Sequence, residues 1–157
     1  MGIISTFIPP WLFLLVSLAS TSFLCPAPCQ CKWQGGLNTL DCVEKNITNI
    51  PLTDDAKIEA VMLDRNNLDQ LQEYEFVNAG LAHVRKLTMR YCKLDSFKED
   101  LFSGLTNLHH LDLSHNSLTL LLSHQFPALP ALRSLDLSHN LLHNIHKDSF
   151  YNLGYVI

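Results

Sequence analysis

Five cysteines and eight histidines are the residues of this 157-residue chain that could carry chemistry. Four of the cysteines, Cys25, Cys29, Cys31 and Cys42, crowd together with the spacing C-x3-C-x-C-x10-C. Thiols at that density either bind a metal or pair as disulfides, and the redox compartment decides between the two. Residues 11–18 form a compact apolar block ahead of them, and the small residues Ala19, Ser20, Thr21 and Ser22 follow. That order is the pattern of a secretory leader, with cleavage expected within 20–24, although no Lys or Arg precedes Lys32. The apolar block falls short of the ~20 residues that a bilayer span needs. An oxidising compartment and the lack of nearby histidines favour two disulfides over zinc. Four cysteines admit three pairings, and spacing does not choose among them.

The remaining chemistry is sparse. Cys92 is the odd thiol. His115 and His139 fall at equivalent places of a repeated Leu-Asp-Leu-Ser-His-Asn segment, so they would be neighbours able to share a cation or repel when protonated. No carboxylate or thiolate is placed to complete a metal site, and solvated turn histidines are the simpler expectation. The chain has no nucleophile elbow, no phosphate-cradling glycine loop and no clustered acid–base pair, so neither an enzyme nor a cofactor is expected. A formal charge of −4 gives no reason to expect nucleic acid or an anionic membrane as partner. Asn46-Ile47-Thr48 is the one N-x-S/T sequon, and in a secreted chain Asn46 is the expected glycosylation site.

What must position these residues is a frame that recurs four times. It reads Ile58, Val61, Leu63, Asn66, Leu68, and then Val84, Leu87, Met89, Cys92, Leu94. The third copy is Leu108, Leu111, Leu113, Asn116, Leu118, and the fourth is Leu132, Leu135, Leu137, Asn140, Leu142. A further apolar column holds Leu71, Phe97, Leu121 and Ile145, and a phenylalanine column holds Phe76, Phe102, Phe126 and Phe150. This is the pattern L-x-x-L-x-L-x-x-N/C-x-L, and it resembles the leucine-rich repeat. Helical spacing does not produce such a period with a recurring Asn. The resemblance implies an α/β solenoid, a horseshoe segment whose concave face is a parallel β-sheet, with one strand per repeat near 61–63, 87–89, 111–113 and 135–137.

Each column then has a physical duty. Alternation along a strand sends the Leu-x-Leu pair into the core and its neighbours to the concave face. The Asn amide, donor and acceptor at once, serves backbone groups stranded where the chain turns inside. Cys92 stands in that column and is therefore expected to be buried and reduced. The phenylalanines stack as a spine beneath the convex return. A solenoid exposes apolar core and strand edge at each end, and the cysteine cluster reads as a disulfide-stapled cap over the first. The expected organisation is a leader at 1–22, the cap at 23–52, and repeats at 53–157. Val156 falls where a fifth repeat would begin, and the chain is expected to be the N-terminal part of a longer protein.

A ligand would meet the outward strand positions. The third and fourth copies spell a generic consensus there, whereas the first two depart from it. The expected contact patch is Met62, Asp64 and Arg65 of the first copy with Lys86, Thr88, Arg90 and Tyr91 of the second, flanked by His110 and His115. The competing expectation is self-pairing: Asp64 with Arg90, and Glu44 with Arg65, would form exposed pairs contributing ~0–1 kcal/mol and needing no ligand.

The segment from Cys29 to Cys42, with its Lys32-Trp33-Gln34-Gly35-Gly36 stretch, is followed by Ile47-Thr-Asn-Ile-Pro51. It is similar to the N-terminal cap of the kekkon family, single-pass membrane proteins with leucine-rich repeats and an immunoglobulin domain. Cys92 and Leu94 fit that family's repeats too. The resemblance covers residues 25–153. It implies the disulfides Cys25–Cys31 and Cys29–Cys42, and a non-enzymatic role in binding cell-surface proteins and modulating receptor signalling or adhesion. The expected location is the secretory pathway, either secreted or on the outer face of the plasma membrane. The alternatives are a secreted matrix-type repeat protein and an innate-immune pattern binder. No immunoglobulin domain or membrane span lies within these residues.

Overall fold

The computed structural model describes residues 25–154, so the expected leader and the fifth repeat expected to begin at Val156 lie outside the described residues. Two strands, β1 (Gln30–Gln34) and β2 (Leu37–Asp41), form an antiparallel hairpin closed by Gly35 and Gly36. From β2 the sheet continues in parallel through β3 (Ala60–Met62), β4 (Lys86–Thr88), β5 (His110–Asp112) and β7 (Ser134–Asp136). Equivalent frame positions pair directly: Val61 opposite Leu87, Leu87 opposite Leu111, Leu111 opposite Leu135. Each strand begins one residue before the expected span, because the Glu59 carbonyl already accepts from both Arg85 and Lys86, and His109 plays the same part for Arg133 and Ser134.

The convex side holds turns, one four-residue helix α1 (Glu75–Asn78), and a small parallel sheet of β6 (Leu120–Leu121) and β8 (Asn144–Ile145). Phe76, Phe102, Phe126 and Phe150 stack with ring centroids 5.8, 6.5 and 5.8 Å apart, and Phe97 wedges 5.4 Å from both Phe102 and Phe126. Phe76, Phe102 and Phe126 are buried while Phe150, last in the row, is exposed, and burying such rings, roughly 150–250 Å² each, helps to hold coil to coil.

The Asn column ties successive coils together. Asn116 Nδ2 donates to the carbonyls of Met89 (2.8 Å) and Leu113 (2.9 Å), and its Oδ1 accepts from the backbone of Cys92 (2.8 Å) and Leu94 (3.2 Å). Asn66 does the same toward the cap, reaching the Cys42 carbonyl and the N–H groups of Lys45 and Ile47. Cys92 is buried and reduced, and its Sγ–H donates to the Leu63 carbonyl at 3.3 Å. A thiol cannot replace the amide oxygen, so Leu68 N–H turns to the Cys92 backbone carbonyl instead.

The cap is stapled by Cys25–Cys31 and Cys29–Cys42, with Cα separations of 5.6 and 4.4 Å. Leu40 and Cys42 lie buried over the first coil. Gly80 lets the first repeat close tightly on the segment that enters it: its φ is +83°, and a Cβ there would lie 2.1 Å from the Thr53 carbonyl oxygen.

Candidate recognition surface

The expected contact residues resolve into three groups with different physical characters. Met62, Lys86 and His110 line a shallow concavity of about 340 Å³, and the cap completes it with Gln34, Leu37 and Thr39. Cα register explains the gathering, because Thr39 pairs with Ala60, Ala60 with Lys86, and Lys86 with His110. Lys86 and His110 are exposed and Met62 is half-buried, so this group meets solvent with a cation, an imidazole and a thioether.

Asp64, Thr88 and Arg90 form a second group that lies beneath the surface or is spent on itself. Asp64 is only 3% exposed and Thr88 6%, against the expectation that both face solvent. Arg90 explains the first: its Nε and Nη2 donate to Asp64 Oδ2 at 3.0 and 2.8 Å, and its backbone N–H donates to Oδ1 at 2.9 Å. The guanidinium lies over the carboxylate and shields it from water. Asp112 stands 3.8 Å from the same guanidinium. Thr88 Oγ1 is buried without a hydrogen-bond partner.

Arg65, Tyr91 and His115 form a third group, a ladder along the ridge where the strands turn. Glu44, Arg65, Tyr91, His115 and His139 all take left-handed backbone conformations, with φ between 55° and 60°. Side chains of one column in one conformation leave the ridge in parallel, so they stack. The Arg65 guanidinium sits 5.3 Å from the Tyr91 ring centroid, Tyr91 lies 4.5 Å from His115, and His115 lies 4.1 Å from His139, the last pair tilted by 7°. Glu44 accepts from Arg65 Nη1 at 3.0 Å and closes the row. Both self-pairings that the sequence raises, Asp64–Arg90 and Glu44–Arg65, are present.

The face-to-face histidines do not converge on a cation, because in-plane ring nitrogens of stacked imidazoles point away from any common centre. Among the described residues, no three His, Cys, Asp or Glu side chains are placed to hold a metal. Burial pushes the Cys92 thiol up to about 11, too high for a nucleophile at neutral pH. Asn46 is exposed at the cap turn and opens onto a small hollow shared with Arg65, Tyr91 and Lys93. Sequence reasoning missed the cap's share of the concavity. The signal was present in β2, where Leu37, Thr39 and Asp41 alternate onto one face.

The sheet, the Asn ladder and the phenylalanine spine carry the decision on kinship, and the leucine rich repeat family model matches residues 56–118 and 82–142. The chain belongs to the leucine-rich repeat family. No curated protein sequence matches it. Among solved structures it is similar to human 5T4, also called Wnt-activated inhibitory factor 1 or trophoblast glycoprotein, at 32% identity and a TM-score of 0.65. That match covers 78% of this chain and 43% of the other. The repeats also resemble TLR13, solved in complex with ssRNA13, at 29% identity and a TM-score of 0.70, over 80% of this chain and 18% of that one. A third likeness is to an octameric complex of latrophilin 3, Unc5D and the leucine-rich repeats of FLRT2, at 20% identity and a TM-score of 0.64. It covers 84% of this chain and 39% of that one, and it bears on fold alone. The chain thus spans less than half the length of each of these structures. Among the described residues, no helix is long and apolar enough to cross a membrane.

Proposed function

We propose that this chain is the N-terminal recognition segment of a kekkon-like cell-surface protein, and that it binds another extracellular protein without enzymatic chemistry. The observation that carries this reading is the concavity in which the cap, the first two repeats and the edge of the third present Met62, Lys86 and His110 on one continuous sheet. It is shallow and open, a shape suited to a protein partner rather than an enclosed small molecule. Lys32–Gly36 and the disulfide-stapled hairpin support the kekkon likeness. The solved complex of FLRT2 repeats with Unc5D and latrophilin 3 gives a precedent for such a fold engaging proteins. In this reading residues 1–22 direct secretion, Asn46 carries a glycan, and the partner is a receptor ectodomain whose signalling or adhesion is modulated.

The test is secretion from animal cells followed by binding measurements against purified receptor tyrosine kinase and immunoglobulin-domain ectodomains, with single-stranded RNA alongside. Saturable protein binding that Met62→Arg and Lys86→Glu weaken, and that Lys98→Ala leaves intact, supports the proposal. Retention of full affinity in both concave variants, or binding only to RNA, contradicts it.

A further inference from the structure

The rim where the chain enters the strands carries a second surface, separate from the concave face. Trp33 stands on β1 of the cap hairpin with 73% of its surface exposed. Its cross-strand partner is Asn38, and the tip beyond it is the Gly35–Gly36 turn, where an added Cβ at either glycine would meet open space. Trp33 forms one wall of an open depression of about 760 Å³ whose other walls include Asn38, His83, Arg85, Asn107 and His109. A lone exposed tryptophan needs no explanation. One facing two amides, two imidazoles and a guanidinium across a hollow is a different matter, because convergent polar groups around an aromatic platform are the make-up of a ligand site.

The order of these groups is set by the solenoid. Glu59, Arg85, His109 and Arg133 immediately precede their strands and follow one another through backbone hydrogen bonds of 2.7, 2.8 and 2.9 Å. They therefore form a row, with Arg85 and Arg133 two rungs or about 10 Å apart. Glu59 accepts from Arg85 Nη1 at 3.4 Å, which steadies the guanidinium while leaving most of its N–H groups unused. His109 Nδ1 lies 2.6 Å from the Asn107 carbonyl oxygen. A carbonyl only accepts, so that nitrogen bears the hydrogen and Nε2 is left for a ligand hydroxyl.

We infer that this rim binds an acidic oligosaccharide. The C–H face of a sugar ring rests on Trp33, hydroxyls meet the side chains of Asn38, Asn107 and His109, and a sulfate or carboxylate pairs with Arg85, with Arg133 next along the row. Planar polar groups of both donor and acceptor kind suit hydroxyl-rich ligands, and Arg suits an oxyanion through its forked donors. An acidic peptide would use the arginines but offers no sugar-like C–H face for the indole, and Glu59 within the site is engaged by the Arg85 guanidinium.

The test uses the disulfide-bonded chain and a heparin-derived hexasaccharide, with its desulfated form, a neutral chitin hexasaccharide, poly-glutamate and a single-stranded RNA as comparison probes. Binding is read by calorimetry, and folding by thermal denaturation. The expected result is saturable binding of the sulfated hexasaccharide that Trp33→Ala and Arg85→Ala each weaken about tenfold or more, with Lys98→Ala unchanged. Both tested side chains are exposed, so melting temperatures should stay near wild type. Absence of binding, equal affinity for the neutral sugar, equal affinity for poly-glutamate or RNA, or wild-type affinity in both variants overturns the inference. The Met62→Arg chain, altered only on the concave face, should bind the sugar normally, so failure here and failure of the protein-binding proposal are distinguishable.

Discussion

The first two repeats and the last two use the same concave columns in opposite ways. In the third and fourth copies the column holds Asp112 and Asp136, and each carboxylate accepts from the backbone of the serine two residues on, at 3.0 and 2.8 Å. Those bonds stay inside one repeat. In the first two copies Met62 and Thr88 occupy that column, and the acid has moved along to Asp64, where it is bonded across the strands to Arg90. The consensus half thus holds these two carboxylates chiefly by bonds within the repeat, with Asp112 also 3.8 Å from the Arg90 guanidinium. The irregular half spends a carboxylate and a guanidinium on a pair between two strands, and it leaves Met62 half-buried and Lys86 exposed beside the cap. In the proposed reading the departure from consensus carries specificity, and part of it is consumed in the Asp64–Arg90 pair between the departing strands.

The largest expected effect sharpens what the two halves share. Asn116→Ala strands the backbone of Cys92, Leu94 and Met89 together, and it should lower unfolding free energy by about 3 kcal/mol, measured by urea denaturation. The next separates them. Asp64→Ala removes three bonds from a buried carboxylate and should cost about 2 kcal/mol, whereas Asp136→Ala, at an exposed local turn, should cost less than about 1 kcal/mol. Equal losses would abolish the distinction. Cys92 supplies a pH test. Its folded value is raised to about 11 above the ordinary 9.0, so the contribution of its protonated form is fully present below pH 9 and lost as pH rises through 11. Stability should therefore fall across that window, and native protein at pH 8 should resist thiol alkylation until denatured. The smallest effect concerns Thr88, whose buried hydroxyl lacks a partner: Thr88→Val should leave stability unchanged or raise it by up to about 1 kcal/mol.

The core was legible because burial repeats. A column such as Leu63, Met89, Leu113 and Leu137 meets the same environment in every coil, so periodicity alone assigns it. The Asn column was legible for the same reason, since an amide's double capacity matches a fixed backbone need. The contact surface was less so. Sequence spacing places Asp64 and Thr88 on the concave face, but it does not show that the Arg90 guanidinium lies over one or that neighbouring strands crowd the other. The ridge ladder of Arg65, Tyr91, His115 and His139 depends on left-handed backbone at each position, and no glycine marks those places. The cap's contribution depends on how two disulfides seat a hairpin against β3, which four cysteines and three pairings left open.

The central claim is that recognition belongs to the cap and the first two repeats. Lys86 and Ser134 occupy the same column of the sheet, two rungs apart, one in the irregular half and one in the consensus half. Partner affinity of Lys86→Asp and Ser134→Asp, measured side by side on the secreted chain, tests the claim most directly. The account predicts a loss of about tenfold or more for Lys86→Asp and near wild-type affinity for Ser134→Asp. Equal losses, or a loss confined to Ser134→Asp, would contradict it.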